Sequence, residues 1–139
     1  MQKLRSVLLV DDDPTNNFLN QRLLQRLNVA DQVVVAENGQ EALALLQPTG
    51  DGTAPSFPAL ILLDIQMPIM NGIEFLQAYQ LLPLAQRRNT TVVVLSTSVD
   101  ARDLSRLDDL PAAGRLNKPL TPEKIAQAVQ LHFERQAPD

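Results

Sequence analysis

Four short, unbroken aliphatic runs constrain this chain most: Val7-Leu8-Leu9-Val10, Val33-Val34-Val35-Ala36, Leu60-Ile61-Leu62-Leu63 and Val92-Val93-Val94-Leu95. Each is bounded by polar or turn-forming residues, and none alternates as a strand with one wet face does. Such runs suit strands buried on both faces, the condition of a parallel sheet covered by helices. A fifth run, around Ala113 to Asn117, is broken and therefore the weakest.

Between the runs, apolar residues recur three and four apart. The first segment shows this at Phe18, Leu19, Leu23 and Leu27, with Arg22 on the same stripe, and Pro14 and Thr15 open it. The second follows Asn38-Gly39 and carries Ala42, Leu43, Leu45 and Leu46; the third, Ile73 to Leu82, carries Phe75, Leu76 and Tyr79. In the last, Pro122 to Phe133, Thr121 stands as N-cap and Pro122 at the first helical position, before Ile125, Ala126, Val129 and Phe133. About five strand–helix alternations imply right-handed βαβ units, whose ligands bind beyond the carboxyl ends of the strands. The expectation is one domain over residues 1–139, with a core from about 5 to about 134, a surface loop at 48–58 and a frayed tail at 135–139.

A net charge of −4 offers no grip on nucleic acid or an anionic membrane surface. The chain is 45% hydrophobic and 20% charged, which is enough apolar material to bury a core. With four Phe, one Tyr and no Trp, that core has to be aliphatic. The absence of Cys excludes disulfides, Cys-ligated zinc, iron–sulfur clusters and thiol nucleophiles, and agrees with a reducing compartment. The apolar run after Lys3 and Arg5 ends in three aspartates, too soon for a signal peptide, and no stretch nears the roughly 18 apolar residues that span a bilayer. A cytoplasmic location is expected.

The first polar residues after the runs are Asp11-Asp12-Asp13, Asp64, Ser96-Thr97 and Asn117-Lys118-Pro119. In a parallel sheet all of these share one edge. Carboxylates converging there repel one another unless a cation sits among them, and hard oxygen donors of this kind suit Mg²⁺. A lysine beside them supplies a mobile charge for a phosphoryl group, and a Ser or Thr hydroxyl can donate to one of its oxygens. The five glycines are scattered, so no glycine-rich loop wraps a nucleotide. The set reads as a phosphoryl-transfer site whose donor comes from elsewhere and whose acceptor is an Asp carboxylate.

The segments Val10-Asp11-Asp12-Asp13-Pro14, Leu63-Asp64-Ile65-Gln66-Met67-Pro68-Ile69-Met70-Asn71-Gly72, Leu95-Ser96-Thr97 and Asn117-Lys118-Pro119 resemble, in order and over nearly the whole chain, the receiver domain of two-component response regulators. The resemblance implies a flavodoxin-like (βα)5 α/β fold, a five-stranded parallel sheet of order 2-1-3-4-5 with helices on both faces. It implies Asp64 as phosphoacceptor and Asp12 as direct Mg²⁺ ligand, with Asp11 behind it. The backbone carbonyl of Gln66 completes the protein ligands, Ser96 is the phosphate-sensing hydroxyl with Thr97 as the competing choice, and Lys118 precedes a cis Pro119.

The same resemblance implies a regulatory rather than enzymatic protein that assists its own phosphorylation and dephosphorylation. The donor would be a phosphohistidine of a sensor kinase or phosphotransfer protein. The readout would be a surface of the fourth helix, fifth strand and fifth helix, docking a downstream protein with no output domain. Two departures stand out: Arg115 occupies the usual aromatic switch position, and the 48–58 loop is long for the family.

A rival reading makes Asp11-x-Asp13-x-Thr15 the opening of a haloacid-dehalogenase-like phosphatase, with Asp11 as nucleophile. It lacks a cap and a downstream acidic metal pair, and it leaves Asp64 unexplained. A pseudo-receiver that only docks partners conflicts with the complete set of Asp12, Asp64 and Lys118. Plain structural roles are expected for Asp13 as a solvated loop residue, for His132 and half-buried Tyr79 on their helices, and for Met67 and Met70 as packing. Gly72 is expected to permit the backbone entry into the third helix.

Overall fold

The computed structural model describes residues 3–47, 57–96 and 105–136. Five strands, β1 (Leu4–Val10), β2 (Ala30–Ala36), β3 (Leu60–Asp64), β4 (Thr91–Ser96) and β5 (Gly114–Asn117), alternate with helices α1 (Pro14–Leu27), α2 (Gly39–Leu45), α3 (Gly72–Tyr79), α4 (Leu84–Arg87) and α5 (Pro122–Gln136). Every strand pair is parallel and the order is β2-β1-β3-β4-β5, as the family resemblance implies.

The aliphatic runs work as two-faced strands because alternate side chains serve opposite layers. Leu8, Val10, Ile61 and Leu63 face one layer with Ile73 and Leu76 of α3. Val7, Leu9, Leu60 and Leu62 face the other with Leu24 of α1 and Ile125 of α5. The expectation fails for β2, whose Val33, Val34 and Val35 are only half-buried. Strand β2 lies at the sheet edge, where one side has no neighbouring strand to cover it.

Local signals set most helix ends. Asp13 is the N-cap of α1, its carboxylate accepting from the amides of Thr15 at 2.9 Å and Asn16 at 3.4 Å, so it is a structural residue and not merely a solvated one. Asn71 and Glu74 form a reciprocal capping box on α3. Thr121 caps α5 through the Lys124 amide.

The third helix is shorter than its periodicity suggests, stopping at Tyr79, and a separate single turn, α4, follows Pro83. At the other end α5 continues through Gln136, three residues past Phe133. The expected frayed tail is therefore ordered at Arg135 and Gln136, which reach back to Thr90, Thr91 and Arg88; positions 137–139 lie outside the described residues. Most of the 48–58 loop and most of the helix expected before β5 also fall outside them, with only 105–107 of the latter described as helical.

The face that α1 turns inward matches the expected stripe at Leu23 and Leu27, which pack against the core, and departs from it in the first turns. Phe18 and Leu19 are each 57% exposed, and the helix buries Asn17 and Leu24 instead. Tyr79 is buried rather than half-buried and stacks on Phe75 with ring centroids 5.6 Å apart.

His132 is buried and meets the Thr91 hydroxyl at 2.8 Å. Thr91 also accepts from the Arg135 guanidinium at 3.1 Å, which leaves its own hydroxyl proton available to His132 Nδ1. Burial, and then Arg135, hold this imidazole below its ordinary value of 6.5. An unfolded chain takes up the proton first, so the stability tied to neutral His132 is intact above that value and is lost as pH falls below it. Urea unfolding between about pH 7.5 and about pH 5.5 should show the stability gap between wild type and His132→Leu narrowing as acid is added.

Candidate functional site

The carboxyl ends of β1, β3, β4 and β5 carry the groups that the sequence places there, and the all-parallel order brings them to one edge. Asp64 is the last residue of β3, and Asp11 and Asp12 follow β1 directly. Carboxylate oxygens of Asp11, Asp12 and Asp64 all lie within 4.8 Å of one another, Asp11 and Asp64 buried and Asp12 exposed. Lys118 follows β5 and spans two of them, its Nζ donating to Asp11 Oδ2 at 2.8 Å and standing 3.3 Å from Asp64 Oδ2.

The backbone holds these side chains from several directions. Asp11 accepts from the Asp13 amide at 2.9 Å through Oδ1, and its own amide donates to Ala36 of β2 at 3.1 Å. The loop bearing Lys118 is drawn in by Lys124, whose ammonium donates to the carbonyls of Asn117 at 2.8 Å and Pro119 at 3.1 Å. The Lys118 amide donates to the Ser96 carbonyl at 2.8 Å, and the Lys118–Pro119 peptide is cis. Ser96 is buried at the end of β4, one position beyond the residue paired with Asp64. Gln66 is exposed two residues past Asp64, and Thr97 lies outside the described residues.

Electrostatics follow from this crowding. Burial pushes the Asp64 carboxyl above its ordinary value, the Lys118 charge opposes that, and the Asp11 charge reinforces it. Burial alone would lower Lys118, but the hydrogen bond to Asp11 and the charges of Asp64 and Asp11 outweigh it and hold the ammonium protonated. Three carboxylates against one ammonium leave an excess of negative charge in a partly dry pocket. Hard oxygen donors at this separation fit a hard divalent cation.

The β3–α3 turn is the tightest part of the site. A Cβ on Gly72 would sit 2.5 Å from the Asp64 carbonyl oxygen, so only glycine allows the Gly72 amide to reach the Ile65 carbonyl at 2.8 Å. Ile69, in the same loop, holds φ at 69° and is exposed, an unusual conformation for a β-branched residue. Arg115 is exposed on β5.

One residue at this edge escaped sequence reasoning. Asn17 is buried on the inner face of α1, and its Nδ2 donates to the backbone carbonyl of Asp11 at 2.8 Å. Its Oδ1 is buried without a hydrogen-bond partner among the described residues. Leaving such an acceptor unpaired costs about 1–3 kcal/mol. The available signal was position: Asn17 stands seven residues, two helical turns, before buried Leu24, but a polar residue does not register in an apolar stripe.

The doubly wound parallel sheet, with an acid trio and a lysine at its carboxyl edge, has the architecture that the sequence resemblance implies. The chain belongs to the response regulator receiver domain family, whose model matches residues 7–130. It is 34% identical to the two-component response regulator ARR22 of Arabidopsis thaliana, across 96% of this chain and 87% of that protein. A two-component response regulator from Cytophaga hutchinsonii superposes with a TM-score of 0.80 at 27% identity, covering 96% of this chain and 99% of that one. The bacteriophytochrome response regulator AtBRR gives 0.76 at 33% identity, with 94% of each chain covered. The protein is thus a receiver domain of two-component signalling, a regulatory class rather than an enzyme class. Among the described residues no helix is long and apolar enough to cross a membrane.

Proposed function

We propose that this chain is the phosphoacceptor of a two-component phosphorelay, with Asp64 as the residue modified and Mg²⁺ as the required cation. The observation that carries this is Asp64 itself, buried at the end of β3 with the Lys118 ammonium 3.3 Å away and two further carboxylates within 4.8 Å. Lys118 holds Asp11 at 2.8 Å and stands 3.3 Å from Asp64, and the Asp13 amide ties the other Asp11 oxygen at 2.9 Å, a tighter anchoring that supports Asp64 over Asp11 as the attacking group.

A carboxylate oxygen of Asp64 attacks the phosphorus of a phosphohistidine on a kinase or phosphotransfer protein. The P–N bond breaks, the imidazole nitrogen leaves with the electron pair and takes a proton, and an acyl phosphate forms on Asp64. Lys118 pairs with charge on the transferring phosphoryl oxygens, and Ser96 is the hydroxyl assigned to one of them afterwards. Asp12, Asp64 and the Gln66 carbonyl would hold Mg²⁺, with Asp11 behind them; the cation supplies charge neutralisation between acceptor and phosphoryl oxygens. Water attack on phosphorus later returns inorganic phosphate and the free carboxylate.

The downstream partner is read as a protein docking on the surface that includes β5 and α5. With Arg115 exposed on β5, any switching there proceeds without the usual aromatic rotation.

Incubation with acetyl phosphate, followed by intact-mass measurement, tests the reading. One phosphoryl adduct per chain is expected with Mg²⁺, none with excess EDTA, and loss of the adduct on treatment with hydroxylamine. An adduct that forms equally without metal, or survives hydroxylamine, would overturn it.

A further inference from the structure

Asn17 is the one buried polar residue of α1, and the proposed phosphoryl chemistry does not use it. Its partner is informative. The Asp11 carbonyl belongs to the peptide that joins Asp11 to Asp12, and Asn17 Nδ2 holds that carbonyl at 2.8 Å. The other polar atoms of Asp11 are already fixed, the amide on Ala36, Oδ1 on the Asp13 amide and Oδ2 on Lys118. Asp12 is different, because it is exposed and its carboxylate makes no hydrogen bond among the described residues.

The direction in which the Asp12 side chain leaves the backbone is therefore set by the peptide plane before it. That plane is gripped from inside the fold by Asn17. The amide is not an ideal packing choice: its Nδ2 satisfies the Asp11 carbonyl, but its Oδ1 is buried unpaired, so an aliphatic side chain there would exchange one unpaired acceptor for another.

We infer that Asn17 is a positioning residue for the acidic site, holding the Asp11–Asp12 peptide so that the Asp12 carboxylate is presented to a divalent cation alongside Asp64. The inference rests on the reading above that this trio takes Mg²⁺. It assigns to α1 a part in metal affinity, beyond its packing on the sheet.

The experiment compares wild type with Asn17→Leu, which keeps the branching but removes the donor. Titration calorimetry with MgCl₂ gives the affinity, and thermal unfolding without metal gives the stability. Supporting groups behind metal ligands are commonly worth 10–100-fold in affinity. A loss of about 10-fold or more is expected in Asn17→Leu, measured at a temperature where the metal-free variant is fully folded. Adduct formation from acetyl phosphate should recover its wild-type extent when Mg²⁺ is raised in proportion.

Magnesium affinity within about twofold of wild type in a folded variant would overturn the inference, since a lost positioning contact should cost more than that. So would a fall in Tm with the remaining folded protein binding normally. Should Asn17→Leu fail to fold, Asn17→Ala, titrated well below its own Tm, is read by the same affinity criterion. If wild type itself takes up no Mg²⁺, the reading of the acid trio fails first, and that outcome is visible before any variant is compared.

Discussion

Asp64→Asn is expected to give no phosphoryl adduct with acetyl phosphate and Mg²⁺, under conditions where wild type is modified. An amide of the same shape has no carboxylate oxygen to attack phosphorus, and it removes one of three acidic donors from the proposed cation site. Misfolding would not account for the loss. Burial holds the Asp64 carboxyl above its ordinary value, so the folded, metal-free protein disfavours its charged form. Its contribution to stability is therefore best at low pH and is lost as pH rises through the raised value. A neutral amide escapes that penalty, and the metal-free Tm of Asp64→Asn near neutral pH should equal or exceed that of wild type. An adduct persisting in the variant, or moving to Asp11, would reinstate Asp11 as nucleophile and sink the Asp64 assignment.

Gly72→Ala should have the largest effect on stability. The added methyl would lie 2.5 Å from the Asp64 carbonyl oxygen, 2.9 Å from the Ile65 Cα and 3.2 Å from the Asp64 carbonyl carbon. All three are backbone atoms at the end of a buried central strand, and none can swing aside as a side chain would. Overpacking of this kind costs about 3 kcal/mol or more, since the β3–α3 turn has to open and give up the Gly72 to Ile65 hydrogen bond. For a chain of this size the Tm should drop by about 10 °C. Circular dichroism melting checks it, and a Tm within a few degrees of wild type would show that the turn yields freely. Because the displaced atoms belong to Asp64 and Ile65, the same variant should also be phosphorylated more slowly while still folded.

Strand positions were legible because buried parallel strands leave continuous aliphatic runs, and the runs from Val7 to Val10 and from Val92 to Leu95 need no tertiary knowledge to be seen. Edge location was not legible: Val33 to Val35 read like a central strand, and only strand order shows that β2 has one open side. The placement of Asp11, Asp12, Asp64 and Lys118 at one edge followed from counting to the first polar residue after each strand. The first turns of α1 were misread because Phe18 and Leu19 outrank Asn17 in hydrophobicity, whereas the site edge needs a hydrogen-bond donor on that side. Likewise Asp13 looked like a loop charge, and its capping role depends on backbone geometry at Pro14.

The ion pair between Lys118 and Asp11 joins positions 107 apart in the chain. Closing so long a segment brings no local reward, and it is reached only when β5 has docked against β4. A molecule in which β5 has not docked therefore lacks the ammonium beside Asp64. On the proposed reading of Asp64, the acceptor site is complete only once the last strand is in place.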